Sequence, residues 1–168
     1  ARVLGRTEDA VAFDAQAAVT SKAIHAHFFN PTDYTYTNGD SIQQAFPLLT
    51  GVVPAELRKP VMDKVEEVIM VQNQGHLDTG MHGTYFLMKY LLEAGRNDLL
   101  YEIVSKRDYP GWGYMLANGA TTAWESWTGQ SHIHDTLISI GAWFTQGLAG
   151  IRSDGATPGF KHFIIKPA

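Results

Sequence analysis

The sequence predicts an all-α fold in which helix–loop–helix units repeat and one strand closes the chain. Apolar residues recur at helical spacing through most of the 168 residues, and Pro and Gly stand where the pattern stops. Helices with one apolar stripe alternate with helices that are more apolar on all sides. This alternation is typical of a helical toroid, whose inner layer is buried on both sides. Only the C-terminal end has the alternation of a strand.

Composition limits the classes of function. A hydrophobic content of 45% over 168 residues suits one domain-sized unit with a buried core. The net charge of −4 and the scattered Lys and Arg give no basic surface, so we expect no nucleic-acid and no membrane partner. The lack of cysteine excludes disulfides and thiolate metal ligands and leaves the compartment undetermined. No apolar run approaches the roughly 18 residues that span a bilayer.

The first half of the chain predicts three helices, each ended by glycine or by a residue pair with proline. They span residues 10–28, 41–50 and 54–74. Residues 34–40, rich in threonine and tyrosine, form a loop between the first two. Pro60 lies inside the third helix, so we expect a kink or a restart there.

The second half predicts three more helices and a strand. The helices span residues 81–94, 98–105 and a final stretch from Ser131 or His132 to residue 148. The helix over 81–94 carries apolar residues around its circumference and should be buried all round. Residues 159–167 alternate and end in β-branched residues, which predicts one strand. This strand has no predicted partner, so we expect the protein to continue beyond residue 168.

The segment over 109–127 is the most informative part of the sequence. It carries three of the four tryptophans (Trp112, Trp124 and Trp127), and its proline and glycines predict an ordered loop rather than a helix. Glu125 directly follows a tryptophan. Aromatic faces can bind apolar ligand surfaces, and a carboxylate among them can act as an acid, a base or a ligand anchor. The alternative is that the tryptophans pack a helix junction and Glu125 caps a helix or pairs with a lysine.

Five segments resemble, in the same order, those of bacterial α-L-rhamnosidases, and the resemblance extends over nearly the whole chain. They are residues 75–80, 108–115, 118–125, 147–152 and 159–167. The resemblance implies an (α/α)6-barrel catalytic domain that removes terminal α-L-rhamnose from glycosides or polysaccharides with inversion and without a cofactor. In that family the barrel is longer than this chain and is followed by a β-sandwich.

A division of the chain into two parts follows from the resemblance. Residues 1–150 would form the C-terminal half of the barrel, and residues 151–168 a linker and the first strand of the β-sandwich. The N-terminal half of the same barrel would then be a partner of this chain. Without that half we expect the 168 residues to be inactive and to leave buried helices, 81–94 and 132–148, uncovered.

The resemblance also implies site residues. Glu125 falls on the position of the family's general base, which deprotonates the attacking water. Inversion needs a second, protonated carboxyl roughly 6.5–9.5 Å away. The family's acid belongs to a Trp-containing acidic segment in the first half of the barrel, and nothing like it occurs here. We therefore expect the general acid outside this chain.

The sugar-binding residues follow in the same way. His134 aligns with a family histidine that hydrogen-bonds the sugar, and His132 competes for the role because 131–134 departs from the usual Asn–His pair. Ser126 stands where the family more often has arginine. The candidate walls of the sugar pocket, each of which could instead pack the core, are Trp112, Trp124 and Trp127.

Two other classes of function compete with this one. His132, His134, His76 and Asp78 could ligate zinc or iron. However, His-x-His at a helix start does not place both rings on one face, so we expect no metal. The chain could also be a carbohydrate-binding or structural helical module without activity. An acidic, Trp-containing segment upstream would favour the enzyme.

Overall fold

The structure, a computed structural model, describes residues 1–157 and 159–168 and is mainly helical, which confirms the predicted all-α class. The α-helices are α1 (Thr7–Phe28), α2 (Ser41–Leu49), α3 (Arg58–Glu67), α4 (Met81–Glu93), α5 (Asn97–Ser105), α6 (Trp112–Ala117) and α7 (Ile140–Ala142). The strands are β1 (Phe29–Asn30), β2 (Thr35–Tyr36), β3 (Ile151–Ser153) and β4 (Phe163–Ile165). Short 3-10 segments are Arg2–Leu4, Ala55–Leu57 and Thr136–Ser139, and π-helical turns are Val68–Gln72 and Trp143–Leu148.

An inner layer of three helical segments forms the core. It consists of α2, α4 and the continuous stretch 136–148, called the terminal helix here, which pack side by side. Leu48 of α2, Leu87 and Leu91 of α4 and Leu137 of the terminal helix are all buried in one apolar cluster. Removing these side chains from water stabilises the layer.

An outer layer covers the far side of the inner helices. Helix α3 packs on α2 and α5 packs on α4. Val61 and Val65 of α3, and Leu99 and Ile103 of α5, are buried at a spacing of four residues, which places each pair on one helix face. The layers are those of part of an (α/α)6 barrel, as the sequence predicted.

Helix α1 is exposed to solvent over most of its surface. Only Ala10 of its 22 residues is buried, and Val11, Phe13 and Val19 are exposed. The expectation that 81–94 would lack neighbours was wrong, whereas the stretch 132–148 does expose apolar side chains, among them Ile138 and Phe144. The inner helix α4 is covered because α2, α5 and the terminal helix surround it.

The N-termini of the inner helices lie at one end of the structure. The carboxylate of Asp78, just before α4, accepts hydrogen bonds from the N–H (2.9 Å) and the hydroxyl of Ser41, at the start of α2. The indole N–H of Trp127 donates to the Thr79 carbonyl at 3.0 Å, and that of Trp112 to the first turn of the terminal helix at 2.9 Å. This end is called the loop end. Its loops are 29–40, 73–80, 106–111 and 118–135.

Helix α6 corrects the prediction of an unbroken loop over 109–127. Gly113 lies in its first turn, and a Cβ there would overlap the Lys106 carbonyl oxygen. Glycine is present because the backbone approaches closely, and it does not prevent a helix.

The terminal helix begins at Thr136, later than predicted. The residues from Ser131 to His134 instead hydrogen-bond to the loop before them. The restart expected near Pro60 lies at Arg58, where a 3-10 segment gives way to α3.

The C-terminal strand is shorter than predicted and has a partner. Strand β4 pairs antiparallel with β3, with Arg152 opposite Ile164, so the expectation of an unpaired strand was wrong. β1 and β2 form a second antiparallel pair, with Phe29 opposite Tyr36, inside a region that includes the predicted loop. Over the described residues, no helix combines the length and hydropathy required to cross a membrane.

Candidate active site

Glu125 lies in a narrow hairpin at the loop end, defined here as the Glu125 hairpin (residues 122–134). Its main-chain N–H donates to the carbonyl of Ser131 at 2.8 Å. Two residues back along the same arm, the carbonyl of Ala123 accepts from the N–H of His134 at 3.0 Å. These two bonds fix the arms against each other and bring the two predicted site residues, Glu125 and His134, onto one element.

An aromatic stack closes one side of the hairpin. The rings of Trp124 and His132 lie 5.0 Å apart between centroids and 18° from parallel. The hydroxyl of Thr122 donates to the His132 carbonyl. Trp124 is buried, whereas His132 is exposed and covers it. The His132 ring therefore contributes to the packing of the hairpin.

Trp127, a residue of the hairpin, packs on Trp112 of α6. Their rings meet edge to face, with centroids 5.2 Å apart and planes at 88°. Both indole N–H groups donate to backbone carbonyls, as given above, so the polar edge of each ring is already used. This geometry fits packing of the helix junction. Contact of Trp112, Trp124 or Trp127 with a sugar stays a prediction.

The carboxylate of Glu125 stands apart from the others at this end. It is half-buried, and within the described part of the chain it makes no hydrogen bond or ion pair. By contrast, Asp78 accepts from Ser41 and Asp40 accepts from the Asn38 amide at 2.7 Å. In the described residues, the Glu125 side chain neither caps a helix nor pairs with a lysine, so that alternative is wrong. Glu125 is thus available to act on a ligand.

His76 and Asp108 join two loops of this end. His76 Nε2 lies 2.8 Å from the Asp108 carboxylate, and His76 Nδ1 lies 3.0 Å from the Asn73 carbonyl. Both partners are acceptors, so the ring makes both bonds only when it carries both protons. The hydrogen bond from His76 holds the pKa of Asp108 below its ordinary value. Sequence reasoning missed this pair because 32 residues separate its members and no local pattern connects them.

His134 lies on the arm opposite Glu125. Its side chain is partly exposed, and Nδ1 is 3.5 Å from the Asp135 carboxylate. Neither Glu125 nor His134 lines the groove of ≈ 1000 Å³ between α5, α6 and the terminal helix, nor the cavity of ≈ 190 Å³ beside α4. Thr122 and Ala123, at the start of the Glu125 hairpin, do line the larger groove, so the hairpin borders it at residues other than Glu125 and His134.

The residues considered as metal ligands do not converge. His76 contacts Asp108, Asp78 contacts Ser41, and His132 stacks on Trp124. Among the residues that the structure describes, no three His, Asp or Glu side chains are grouped as they would be around a metal ion.

Comparison with known families and sequences gives one consistent result. Residues 1–148 match the family described as bacterial α-L-rhamnosidase 6 hairpin glycosidase domain. An α-L-rhamnosidase of Alteromonas sp. (strain LOR) is 33% identical, and the match covers 98% of this chain and 19% of that protein. An α-L-rhamnosidase of Formosa agariphila is 30% identical over 99% of this chain and 19% of its own length. The chain thus spans about a fifth of these relatives.

Solved structures agree with this result. An α-L-rhamnosidase from Dictyoglumus thermophilum superimposes with a TM-score of 0.89 and 31% identity, over 100% of this chain and 20% of its own. A Streptomyces avermitilis α-L-rhamnosidase complexed with L-rhamnose gives a TM-score of 0.78 and 28% identity, over 88% of this chain and 15% of its own. The fold is therefore shared along the chain. In the Dictyoglumus thermophilum structure, the shared part includes the Glu125 hairpin.

Proposed function

The chain belongs to the bacterial α-L-rhamnosidase six-hairpin glycosidase family, and on that premise we propose that the protein carrying it hydrolyses terminal α-L-rhamnosides. The observation that supports a catalytic role is the Glu125 carboxylate, which is half-buried and has no structural partner within the described residues. A carboxylate held in an ordered loop without such a partner is free to accept a proton.

In the proposed reaction, Glu125 is the general base. It takes a proton from a water molecule, whose oxygen attacks the anomeric carbon on the face opposite the leaving group. The bond from that carbon to the glycosidic oxygen breaks, and a second carboxyl group protonates the departing oxygen. Attack from the opposite face inverts the anomeric configuration and needs the two carboxyl groups roughly 6.5–9.5 Å apart.

The general acid must come from outside these residues. The other carboxylates named at the loop end are already in contact with a residue of this chain: Asp40 with Asn38, Asp78 with Ser41, Asp108 with His76 and Asp135 with His134. Residues 1–150 would thus supply one half of the barrel and the base, and the N-terminal half the acid. The β3–β4 pair would lead into the following domain.

The sugar would contact the hairpin on the side of His134. Its imidazole can donate or accept a hydrogen bond with a rhamnose hydroxyl. Trp112, Trp124 and Trp127 would form or support the wall behind it. A rhamnose-containing glycoside or polysaccharide is the corresponding partner. The Streptomyces avermitilis relative, crystallised with L-rhamnose, supports this substrate class.

The test is made on the full-length protein with a chromogenic α-L-rhamnoside. We expect release of the chromophore, and proton NMR of the first product should show the β-anomer of rhamnose before mutarotation. A chromogenic α-mannoside serves as the control for general glycosidase activity. Release of the α-anomer first would contradict inversion, and binding of rhamnose without hydrolysis would favour a non-catalytic module.

A further inference from the structure

We propose that His132 is a positioning residue for Glu125, acting through Trp124, and not a ligand of the sugar. The inference rests on the proposed role of Glu125 as the general base. It decides between the two histidines, His132 and His134, that the sequence left in competition.

The first support is the use of the His132 ring. Its flat face lies on the indole of Trp124, 18° from parallel, with centroids 5.0 Å apart. Within the described residues, neither ring nitrogen of His132 makes a hydrogen bond. The ring therefore acts through its planar surface, since stacking of two π-systems depends on shape and area.

The second support is where this stack acts on the chain. Trp124 is the residue before Glu125, and Ser131, whose carbonyl accepts the Glu125 N–H at 2.8 Å, is the residue before His132. Two consecutive residues of the opposite arm thus make the two contacts. The His132 ring packs on the Trp124 side chain, and the Ser131 carbonyl binds the Glu125 N–H. Two attachments at adjacent positions restrict the direction in which the Glu125 side chain leaves the hairpin.

The third support is the turn that brings the arms together. Gly129 has φ +81, in the left-handed region that glycine adopts without strain. A Cβ at this position would lie 3.1 Å from both His132 Nε2 and Trp124 Cε3. The turn therefore passes directly over the edge of the stack, and the hydroxyl of Thr122 holds the His132 backbone from the other side. The stack is enclosed by its own hairpin.

The consequence concerns the rate rather than the affinity. A small displacement of a catalytic group can cost about 100-fold in rate even when binding is unchanged. Loss of the His132 ring should therefore lower kcat and leave KM close to that of the wild type. A side chain that binds the sugar would affect KM as well.

The experiment compares variants of the full-length enzyme on a chromogenic α-L-rhamnoside. We expect His132→Ala to lower kcat about 10- to 100-fold at nearly constant KM. His132→Phe keeps a planar ring without nitrogens and should restore kcat. If His132→Ala does not fold, His132→Leu, which fills the space without a planar face, takes its place. His134→Ala should raise KM. The control is His162→Ala, which removes an exposed histidine between β3 and β4 and should change neither kcat nor KM.

Hydrogen–deuterium exchange supplies a readout that does not depend on catalysis. The exchange is measured in peptides that cover residues 123–126. The Glu125 amide should exchange faster in His132→Ala than in the wild type, and at the wild-type rate in His132→Phe. The proposal is overturned if His132→Phe has the same low kcat as His132→Ala and both variants show a raised KM with wild-type amide exchange. That result would mean that the ring nitrogens bind substrate. Unchanged kcat and exchange in His132→Ala overturn it as well.

Failure of the proposed function is recognised separately. If Glu125→Gln turned over the rhamnoside normally, Glu125 would not be the base. The exchange comparison would then still decide whether His132 holds this backbone: faster exchange in His132→Ala alone supports the positioning, and equal exchange overturns it.

Discussion

The indole rings of Trp112 and Trp127 meet edge to face, with centroids 5.2 Å apart. Trp127 also reaches the loop before α4, because its N–H donates to the Thr79 carbonyl at 3.0 Å. Through this pair, the long loop that carries Glu125 is attached to the start of two inner helices. The tryptophans thus connect the core to the candidate site.

Replacement of Trp127 by Phe should destabilise the protein through its hydrogen bond. The ring is buried, so the Thr79 carbonyl is left unpaired, at a cost of about 1–3 kcal/mol. Urea unfolding of the full-length protein measures the change. Tyr101→Phe removes a hydroxyl from an exposed ring on α5 and is the matched control. Equal midpoints for the two variants would show that the Trp127 bond adds nothing.

Two glycine substitutions should have opposite effects. Gly113→Ala places a Cβ against the Lys106 carbonyl oxygen and 2.8 Å from the Arg107 Cα, so α6 must shift. We expect a loss of about 1–3 kcal/mol. Gly141→Ala meets no atom within 4 Å in α7 and should stabilise by about 0.5–1 kcal/mol. Thermal unfolding midpoints test both, and a stable Gly113→Ala variant would show that the close approach is not rigid.

Asp108 should contribute to stability only above acidic pH. Its folded-state pKa is lowered, mainly by the hydrogen bond from His76, so the unfolded chain binds the proton more readily. The contribution is present above the ordinary pKa, about 4, and is lost as pH falls through the lower folded value. The unfolding midpoint of Asp108→Asn should therefore lie below that of the wild type at pH 6, and the two should converge in acid.

The pH series needs a control carboxylate. Glu56→Gln, at an exposed position in the segment before α3, should match the wild type throughout. A difference for Asp108→Asn that persists unchanged to about pH 2, below the ordinary carboxyl range, would show that the contact does not act through the charge.

Helix α1 should make the isolated 168-residue chain self-associate. Phe13 is 69% exposed on it, and the apolar residues Val11 and Val19 accompany it. Exposed apolar surface of this kind forms interfaces. We expect oligomers in sedimentation velocity and no rhamnosidase activity. Phe13→Gln should lower the association, whereas Val71→Gln, an exposed apolar site on another helix, should not. A monomeric, active wild-type chain would contradict this expectation.

The layers of the fold could be predicted because burial leaves a helical period in the sequence. The inner helix α4 and the outer helix α3 are examples, with buried residues at the spacing that the pattern indicates. The start of the terminal helix could not be predicted in this way. Ser131 to His134 is held by hydrogen bonds to Ala123 and Glu125, and such non-local pairing has no local signal.

Close contacts between distant parts of the chain could not be predicted from the sequence either. Gly113 indicated a loop because glycine is a poor helix former, yet the structure needs it for contact with Lys106 inside α6. The partner of β4 was missed because β3 is only three residues long. Glu125 was found through the resemblance, and only the structure could show that its carboxylate has no structural partner within the described residues.

The most direct test of the proposed chemistry is the kcat of the Glu125→Gln variant of the full-length protein. Gln has nearly the same shape but cannot accept the proton of the attacking water, and the Glu125 N–H bond to Ser131 is kept. We expect the unfolding midpoint and KM of the variant to stay near those of the wild type, and kcat to fall by about 10²–10⁴ on a chromogenic α-L-rhamnoside. A folded Glu125→Gln enzyme with wild-type kcat would contradict the assignment of Glu125 as the general base.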